Sequence, residues 1–399
     1  MNITKEKKNV TLICPSFRFS KAQFYKPAFY IMRYLKEIYG VEPVIVFDEK
    51  LNDVKFKTDE RVTESSFQGV NLVNISSDID DNLTKSETVK AYKTYIEENA
   101  RDIDLLLVFH ANTTEMKLCN LYKKLNAKGK VMIILDFSVA RFNSYKNSFL
   151  ERLKHFAKMV IYRFDILKFY KTVDVFTVET ESGYEYLKKN KWNGINISKK
   201  LQILPFGYDK KDFGLNLSEK AQKENIFLCV GTVGANQKNS EMILKSLKLV
   251  DLKDWKFVFV GAIDRNFKDK IEIFNKECPE KRKSVLFAGA VTDRKVLAEY
   301  YKKSKVLVFA SRSDAFGLVL VEALAFQDFL VSTPVGVAPD IVKNGTGDLF
   351  DDTDSLLVEL QMIVDGKIKI DSSVKKQVVE KYDYQNIIEN FEFFKTALM

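Results

Sequence analysis

Histidine and cysteine are scarce in this chain of 399 residues, which has two histidines and four cysteines. The cysteines are far apart, and none has the spacing of a metal ligand set or a redox pair: Cys14, Cys119, Cys229 and Cys278. Two histidines exclude a histidine-rich metal site. We therefore expect four reduced thiols in the core of a cytoplasmic protein.

Long apolar runs are also missing, because no stretch approaches the ~20 apolar residues that a membrane-spanning helix needs. The polar segment Met1–Asn9 does not resemble a signal peptide. A hydrophobic content of 46% with 29% charged residues is ordinary for a soluble globular protein. The length is sufficient for two sizeable hydrophobic cores.

The chain carries a net charge of +9. A basic balance suits nucleic acid, anionic lipid or phosphorylated ligands. We find none of the sequence motifs of nucleic-acid-binding folds and expect no nucleic-acid partner. Anionic lipid and phosphorylated small molecules stay as candidates.

Short apolar runs alternate with segments of helical periodicity in both halves of the chain. This alternation predicts an α/β protein with two doubly wound parallel sheets. The predicted strands include Val10–Pro15, Val44–Phe47, Leu105–Phe109, Val131–Leu135, Val173–Glu179, Ile226–Gly231, Phe257–Gly261, Val285–Gly289 and Phe329–Ser332. A polar, lysine-rich stretch, Lys210–Asn225, separates the two halves.

The segment Val306–Ala325 organises the second half, with a buried strand, a polar turn and an apolar helix. We expect the helix to begin near Phe316 and Gly317, capped by Ser313 or Asp314. The backbone N–H groups of Phe316, Gly317 and Leu318 would then lie at the positive end of the helix dipole. Such a helix terminus suits a phosphate group.

Glu322 interrupts this apolar helix, where a carboxylate must find donors. It either faces solvent, pairs with a nearby basic residue, or accepts hydrogen bonds from the hydroxyls of a sugar or ribose. Asp314 lies eight positions upstream, on the turn that faces the same ligand space. Two acids around free amides suit a polyol that carries a diphosphate.

Three further positions follow predicted strands, at the sheet edge where open α/β proteins bind ligands. His110 is either a ligand-binding residue or a packed loop histidine. Asp136 is better explained as a turn or helix-cap residue. Lys238 ends a glycine-containing loop that begins at Gly231, and such a loop suits a diphosphate.

The sequence Asp314-Ala315-Phe316-Gly317-Leu318, followed by Glu322 and by Pro334-Val335-Gly336, resembles the signature of retaining GT-B glycosyltransferases of family 4, the group 1 glycosyl transferases. The resemblance implies two Rossmann-like domains that face each other across a cleft. Residues 1–209 would bind the acceptor and residues 210–380 the nucleotide sugar. Residues 381–399 would form a helix that returns to the first domain.

The same resemblance implies roles for individual residues. His110 and Asp314 would contact the donor sugar and Glu322 the ribose. Thr232, Lys238 and the amides of Phe316, Gly317 and Leu318 would hold the diphosphate. No cofactor or metal is implied, and we interpret the acidic run Asp351, Asp352 and Asp354 as a helix start.

Three departures from the family pattern concern the ligand site. Asp314 stands where the family usually has glutamate, so its carboxylate reaches less far by ~1.5 Å. Thr232 stands where an arginine is usual, and Ser16–Ser20 replaces a loop that often has two glycines. These changes indicate either an altered specificity or a lost activity.

The resemblance implies a retaining, metal-independent transferase of the hexosyltransferase type. It would move a sugar from a UDP- or GDP-linked donor to a glycan, a lipid-linked acceptor or another hydroxyl, in bacterial surface polysaccharide or glycoconjugate synthesis. Three alternatives stay open: a nucleotide-sugar epimerase or a phosphorylase of the same fold, a partner subunit that has lost catalysis, and a membrane-surface adaptor that uses Ser148–Thr172. Detection of a bound nucleotide sugar and of its turnover would separate them.

Large apolar residues and basic residues are interleaved at helical spacing over Ser148–Thr172. This pattern is typical of a helix that lies on an anionic membrane surface. It also fits a core-facing helix with a solvated basic face. The first option predicts a peripheral position at the inner face of the cell membrane.

Overall fold

A computed structural model describes residues 7–16, 19–48, 62–75, 85–139, 157, 160–215, 222–370 and 376–399. These residues form two α/β units, each built around a twisted sheet with helices on its faces. The prediction of two Rossmann-like domains is confirmed. The strand and helix predictions agree with the observed elements to within a few residues, apart from those noted below.

The first sheet has eight strands in the order β3-β4-β2-β1-β5-β6-β7-β8. Only the short β3 is antiparallel to its neighbour. The strands are β1 (Asn9–Ile13), β2 (Glu42–Phe47), β3 (Ser66–Phe67), β4 (Val70–Asn74), β5 (Leu105–Phe109), β6 (Lys130–Ile134), β7 (Val175–Val178) and β8 (Leu201–Ile203). The central strands are buried on both sides, which explains their continuous apolar sequences.

Among the described residues, five α-helices connect these strands: α1 (Pro27–Tyr39), α2 (Lys85–Asn99), α3 (Thr113–Leu125), α4 (Arg163–Thr172) and α5 (Glu181–Lys189). Of the predicted helix over Ser148–Thr172, the structure describes Ala157 and residues from Val160 onward, and the remainder lies outside the described residues. Within the described part of the chain, no helix is both long and apolar enough to cross a membrane.

The second sheet is entirely parallel and has six strands in the order β11-β10-β9-β12-β13-β14. They are β9 (Ile226–Val230), β10 (Lys256–Val260), β11 (Val285–Gly289), β12 (Val306–Phe309), β13 (Phe329–Ser332) and β14 (Gly347–Leu349). The order reverses between β9 and β12, so a crevice opens at the carboxyl ends of these two strands.

The second unit and the tail contain α6 (Ser240–Leu249), α7 (Lys268–Glu277), α8 (Arg294–Lys303), α9 (Leu318–Ala325), α10 (Ala338–Ile341), α11 (Thr353–Val364), α12 (Lys376–Glu380), α13 (Tyr384–Asn390) and α14 (Glu392–Leu398). Residues 381–399, which we expected to form one helix, contain two short ones, α13 and α14. α13 packs on the first unit, with the Tyr384 and Tyr30 rings 5.0 Å apart and the Tyr39 hydroxyl donating to the Ile388 carbonyl at 3.3 Å.

The two units share one hydrophobic core cluster. Phe206, which follows β8, packs edge-on against Phe316, which follows β12, with ring centroids 5.4 Å apart. The chain segment between the sheets is anchored on α1, where the buried Arg33 forms ion pairs with Asp209 and Asp212. These contacts fix the carboxyl ends of the two sheets opposite each other.

Candidate functional site

A cavity of about 330 Å³ lies between the two units, where strands of both sheets end. One wall belongs to the first unit and the other to the second. The lining residues are Lys26, Pro27, Asp136, Ser138, Phe206, Gln237, Lys238, Ser313, Asp314, Ala315, Phe316, Gly317, Leu318 and Val319. Five of the residues that the family resemblance assigns to the ligand therefore meet in one place: Lys238, Asp314, Phe316, Gly317 and Leu318.

The Lys238 ammonium lies 2.9 Å from Oδ2 of Asp314. Both side chains are partly exposed in the cavity, at 28% and 17%, so the pair is open to a ligand. The Lys238 Nζ atom also lies 5.1 Å from the centre of the Phe309 ring, which limits where the ammonium can move. The site thus places one cation and one carboxylate side by side at the start of α9.

Arg312 holds the loop that carries Lys238. Its backbone N–H donates to the Gln237 carbonyl at 2.8 Å, and its guanidinium donates to the Asn236 carbonyl and to the Asn239 side chain at 3.1 and 2.7 Å. These bonds join the loop after β9 to the loop after β12. Sequence reasoning missed Arg312, because no spacing signal connects two loops that are more than seventy residues apart.

The turn before α9 differs from our expectation. The helix begins after Gly317, which has a φ of +88° and provides no side-chain cap, so the prediction that Ser313 or Asp314 caps the helix was wrong. Asp314 instead accepts the backbone N–H of Phe316 through Oδ1 at 3.3 Å. The left-handed conformation of Gly317 favours glycine, and it turns the start of α9 toward the cavity.

The loop after β13 supports this turn from below. The Val337 N–H donates to the Phe316 carbonyl at 2.8 Å. A Cβ atom on Gly336 would lie 2.2 Å from that same carbonyl oxygen, so only glycine permits the contact. The turn–helix–loop pattern of the sequence is therefore one packed unit. The amide of Phe316 is already used, which leaves the backbone at Gly317 and Leu318 as the helix terminus that faces the cavity.

Glu322 lies one turn further along α9 and does not line the cavity. Its side chain is 7% exposed, and it pairs with a basic residue, as one of our interpretations held. Arg294 donates to Oε1 at 2.6 Å and the Tyr301 hydroxyl donates to Oε2 at 2.8 Å. Burial raises the pKa of Glu322, but these two partners outweigh it and hold the pKa below its usual value.

Sequence reasoning missed Arg294, which no motif or periodicity singles out. Its guanidinium carbon stacks 4.1 Å from the Phe213 ring centre and lies 6.0 Å from that of Tyr25. Phe213 belongs to the segment between the sheets and Tyr25 to the first unit. The Arg294–Glu322 pair is consequently packed where both units and their connection meet.

His110 and Thr232 are placed outside the wall of the cavity. His110 follows β5 as predicted, is half-buried, has a φ of +63°, and donates its backbone N–H to the Ile134 carbonyl at 2.8 Å. Thr232 is exposed in the loop after β9. The assignment of both residues to the ligand stays a prediction.

Asp136 contributes the acid on the first unit's side of the cavity. It follows β6, is exposed, and has a φ of +47°. The buried Glu179 accepts the backbone N–H groups of Asp136 and Phe137, each at 2.9 Å. Burial raises the pKa of Glu179 to about 8, and the nearby negative charge of Asp136 adds to the increase.

The acidic run after β14 begins a helix, as predicted. Asp352 caps α11 by accepting the Ser355 N–H at 2.8 Å, and the Ser355 hydroxyl closes a capping box. Among the residues that the structure describes, no group of three or more histidine, cysteine, aspartate or glutamate side chains is arranged to bind a metal ion.

Residues 224–365 match the sequence profile of the family described as "Glycosyl transferases group 1". The match covers most of the second unit, the C-terminal domain. The two facing units give the whole chain the GT-B fold. The matched residues contain the whole second wall of the cavity, including Lys238 and Asp314.

Two curated relatives have modest identity to the chain. An uncharacterized glycosyltransferase of Methanocaldococcus jannaschii is 26% identical over 258 residues, which cover 60% of this chain and 64% of the relative. The capsular polysaccharide biosynthesis glycosyltransferase CapM of Staphylococcus aureus is 24% identical over 263 residues, covering 61% and 66%. The chain thus spans slightly less than two thirds of the length of these relatives.

A solved structure agrees with the fold over nearly the full length. The Anabaena protein HepE, crystallised in complex with UDP and glucose, superposes with a TM-score of 0.64 and covers 98% of this chain and 99% of its own. The sequence identity is 12%, so this similarity concerns the fold alone.

Proposed function

We propose that this chain is a retaining glycosyltransferase that uses a UDP- or GDP-linked sugar as its donor. The acceptor is a hydroxyl group of a glycan or of a lipid-linked molecule in bacterial surface polysaccharide or glycoconjugate synthesis. The observation that carries the proposal is the Lys238–Asp314 pair, which lies at the start of α9 in the cavity between the two units. CapM, the capsular polysaccharide relative, supports the choice of pathway class.

The diphosphate is held by the Lys238 ammonium and by the N-terminus of α9 at Gly317 and Leu318. A helix terminus and one cation stabilise an anion without a bound metal. We therefore propose transfer that does not depend on a divalent ion. HepE, which shares the fold, was crystallised with UDP and glucose, and this supports a nucleotide sugar as the ligand class.

Asp314 accepts hydrogen bonds from hydroxyls of the donor sugar. Its bond to Lys238 orients the carboxylate toward the position of the sugar and leaves lone pairs available. We keep the assignments of His110 to the sugar and of Glu322 to the ribose as proposals. For Glu322, the ribose would join Arg294 and Tyr301 as a third donor.

The transfer step needs no nucleophile from the protein. The bond between the anomeric carbon and the phosphate oxygen breaks, and the acceptor oxygen forms its bond on the same face of the sugar. The acceptor proton passes to the departing phosphate oxygen, so charge and atoms balance. The contribution of Lys238 and the helix terminus is to stabilise the negative charge that develops on the diphosphate.

We also propose that the first unit docks on an anionic membrane surface through α4 and the residues just before it. Four apolar side chains are exposed there: Val160 at 60%, Ile161 at 71%, Phe164 at 87% and Leu167 at 42%. The opposite face of the helix packs into the core through Ile166 and Phe169. Arg163, Lys168 and Lys171 are also exposed on this helix, and their cations suit lipid phosphates.

A calorimetric screen of nucleotide sugars, followed by assay of product, tests the enzymatic proposal. We expect one UDP- or GDP-sugar to bind, and a donor at ~100 times its dissociation constant to stabilise the fold by roughly 2.7 kcal/mol. Transfer to an acceptor should persist in EDTA, and proton NMR of the product should show a retained anomeric configuration. Binding without turnover would favour the partner subunit, and altered free nucleotide sugar would favour an epimerase.

A further inference from the structure

Glu179 is a fully buried acid that directly follows β7, close to the cavity but without lining it. Only 1% of the residue is exposed. Its two carboxyl oxygens are each used by one backbone N–H, from Asp136 to Oε1 and from Phe137 to Oε2, both at 2.9 Å. A buried acid is costly, so its retention here needs a structural or functional reason.

The two bonds hold the turn that follows β6. Asp136 has a φ of +47°, in the left-handed region that non-glycine residues rarely adopt. The next side chain, Phe137, is buried and packs on the Tyr186 ring with centroids 5.8 Å apart. Two contacts therefore hold the turn: the Glu179 side chain accepts the backbone N–H groups of the turn, and the Phe137 side chain is buried. Asp136, in the same turn, lines the cavity.

The position of Asp136 gives the cavity an acid on each wall. Asp136 lies on the wall of the first unit, and Asp314 lies on the wall of the second, beside Lys238. A carboxylate repels a diphosphate but accepts hydrogen bonds from hydroxyl groups. The chemistry of this wall consequently suits the sugar part of a nucleotide sugar or of the acceptor.

We propose that Asp136 binds sugar hydroxyls from the first unit and that Glu179 is the positioning residue that holds Asp136 in place. Glu179 acts only through the two backbone N–H groups and does not touch the ligand. The ligand class rests on the function proposed above, whereas the positioning of the turn does not depend on it.

The charge state of Glu179 fits this role. Burial raises its pKa to about 8, and Asp136 is the titratable neighbour that adds to the increase. Burial and the nearby Asp136 thus both favour the neutral form of Glu179, which reduces the repulsion between the two adjacent acids.

Three substitutions test the proposal: Asp136→Asn, Glu179→Gln and, as a matched control, Asp340→Asn. Asp340 is also a buried acid that accepts a backbone N–H, that of Glu181 at 2.8 Å, but it lies outside the cavity. For each protein, calorimetry measures the affinity for UDP and for UDP-glucose, or for GDP and GDP-mannose where these bind. The affinity for the nucleotide sugar divided by the affinity for the nucleotide alone isolates the contribution of the sugar.

We expect Asp136→Asn and Glu179→Gln to reduce this ratio about tenfold. Their affinity for the nucleotide alone should not change. Asp340→Asn should keep the wild-type ratio. A folded Glu179→Gln protein that keeps the wild-type ratio would overturn the positioning role. An unchanged ratio in Asp136→Asn, which alters an exposed side chain, would overturn the sugar contact. If the wild-type protein binds none of these nucleotide sugars, it is the proposed function that fails.

An NMR measurement tests the turn without any ligand. In the wild-type protein, the amide signals of Asp136 and Phe137 should shift together as the pH passes through about 8. The same signals should not titrate in this range in Glu179→Gln. Amide signals that are insensitive to pH in the wild-type protein would overturn the link between Glu179 and the turn.

Discussion

Nη2 of Arg294 lies 2.6 Å from Oε1 of Glu322, inside the C-terminal domain and one helical turn away from the cavity wall. The carboxylate that the sequence assigns to the ribose is therefore already paired. A carboxylate accepts about four hydrogen bonds, so the two bonds from Arg294 and Tyr301 do not use its full acceptor capacity. It does mean that a substitution at this position changes both binding and stability.

We expect Glu322→Gln to weaken UDP binding by about 1.5 to 3 kcal/mol, because a charge-assisted acceptor is lost. The protein should fold but with a free energy of unfolding lowered by roughly 3 kcal/mol, since Arg294 is left buried without its partner. Calorimetry with UDP and urea denaturation measure the two effects.

Arg294→Gln is the matched control for Glu322→Gln, because it breaks the same ion pair and keeps the carboxylate. It should lower the free energy of unfolding by a similar amount and leave most of the UDP affinity. Equal losses of UDP affinity in the two variants would mean that Glu322 has a structural role only.

The membrane proposal predicts that Ile161→Ser with Phe164→Ser reduces binding to vesicles that contain phosphatidylglycerol. Burial of a large apolar side chain contributes about 2 kcal/mol, so we expect at least a tenfold loss. Binding of the wild-type protein should also weaken as salt rises, because exposed charges are screened beyond ~8 Å at physiological ionic strength. Vesicle co-sedimentation measures both effects.

Leu249→Ser is the control for these substitutions, since Leu249 is 70% exposed on α6 in the other domain. It should bind vesicles like the wild-type protein. Equal binding of the double variant, or equal binding of the wild-type protein to neutral vesicles, would contradict docking through α4. A dimer that the double variant abolishes would assign the stripe to a second copy of the chain.

Glu179 should make the free energy of unfolding depend on pH. Its pKa of about 8 in the folded protein lies above the ~4.3 of an unfolded glutamate. The contribution of the Glu179 proton to stability is thus complete below pH ~4.3. It falls by up to ~1.4 kcal/mol per pH unit as the pH rises, and it is lost once the pH has passed about 8. In urea denaturation from pH 6 to 9, the wild-type protein should lose this stability and Glu179→Gln should not.

The comparison between the two proteins isolates Glu179. Burial raises the pKa of Asp328 to about 7, so this residue titrates in the same range. Because Asp328 is present in both proteins, its contribution cancels in the difference between their free energies of unfolding. Parallel curves for the wild-type protein and Glu179→Gln would show that the folded and unfolded proteins bind the Glu179 proton equally well.

The strands of both sheets were predictable because buried parallel strands are short continuous apolar runs. Leu105–Phe109 and Phe329–Ser332, for example, have the predicted bounds. The cavity residues after β9 and β12 were predictable because the topology brings the ends of these strands together. Five of the proposed ligand residues meet there for this reason.

The remaining features of the site depend on contacts that leave no pattern in the sequence. Glu179 and Asp136 are 43 positions apart, and Arg294 and Glu322 are 28 apart, so no helical or strand periodicity links them. The start of α9 near Gly317 was predicted correctly, but its capping residue was not, because Asp314 and Ser313 have good capping chemistry. The packing of Gly336 on the turn decided the conformation instead.

Substitutions of Lys238 and of Asp314 should have different effects on the affinity for UDP. Asp314→Asn should abolish transfer while UDP affinity is kept or slightly raised, because Lys238 loses a competing anion 2.9 Å away. Lys238→Met should weaken UDP by about 1.5 to 3 kcal/mol, the value of a charge-assisted hydrogen bond. Asp314→Glu should retain the fold and change the preference among donor sugars. Product formation with a panel of donors, together with calorimetry with UDP, measures these effects. If Asp314→Asn transfers sugar at the wild-type rate, Asp314 serves only to bind the Phe316 N–H, and the sugar contact lies elsewhere in the cavity.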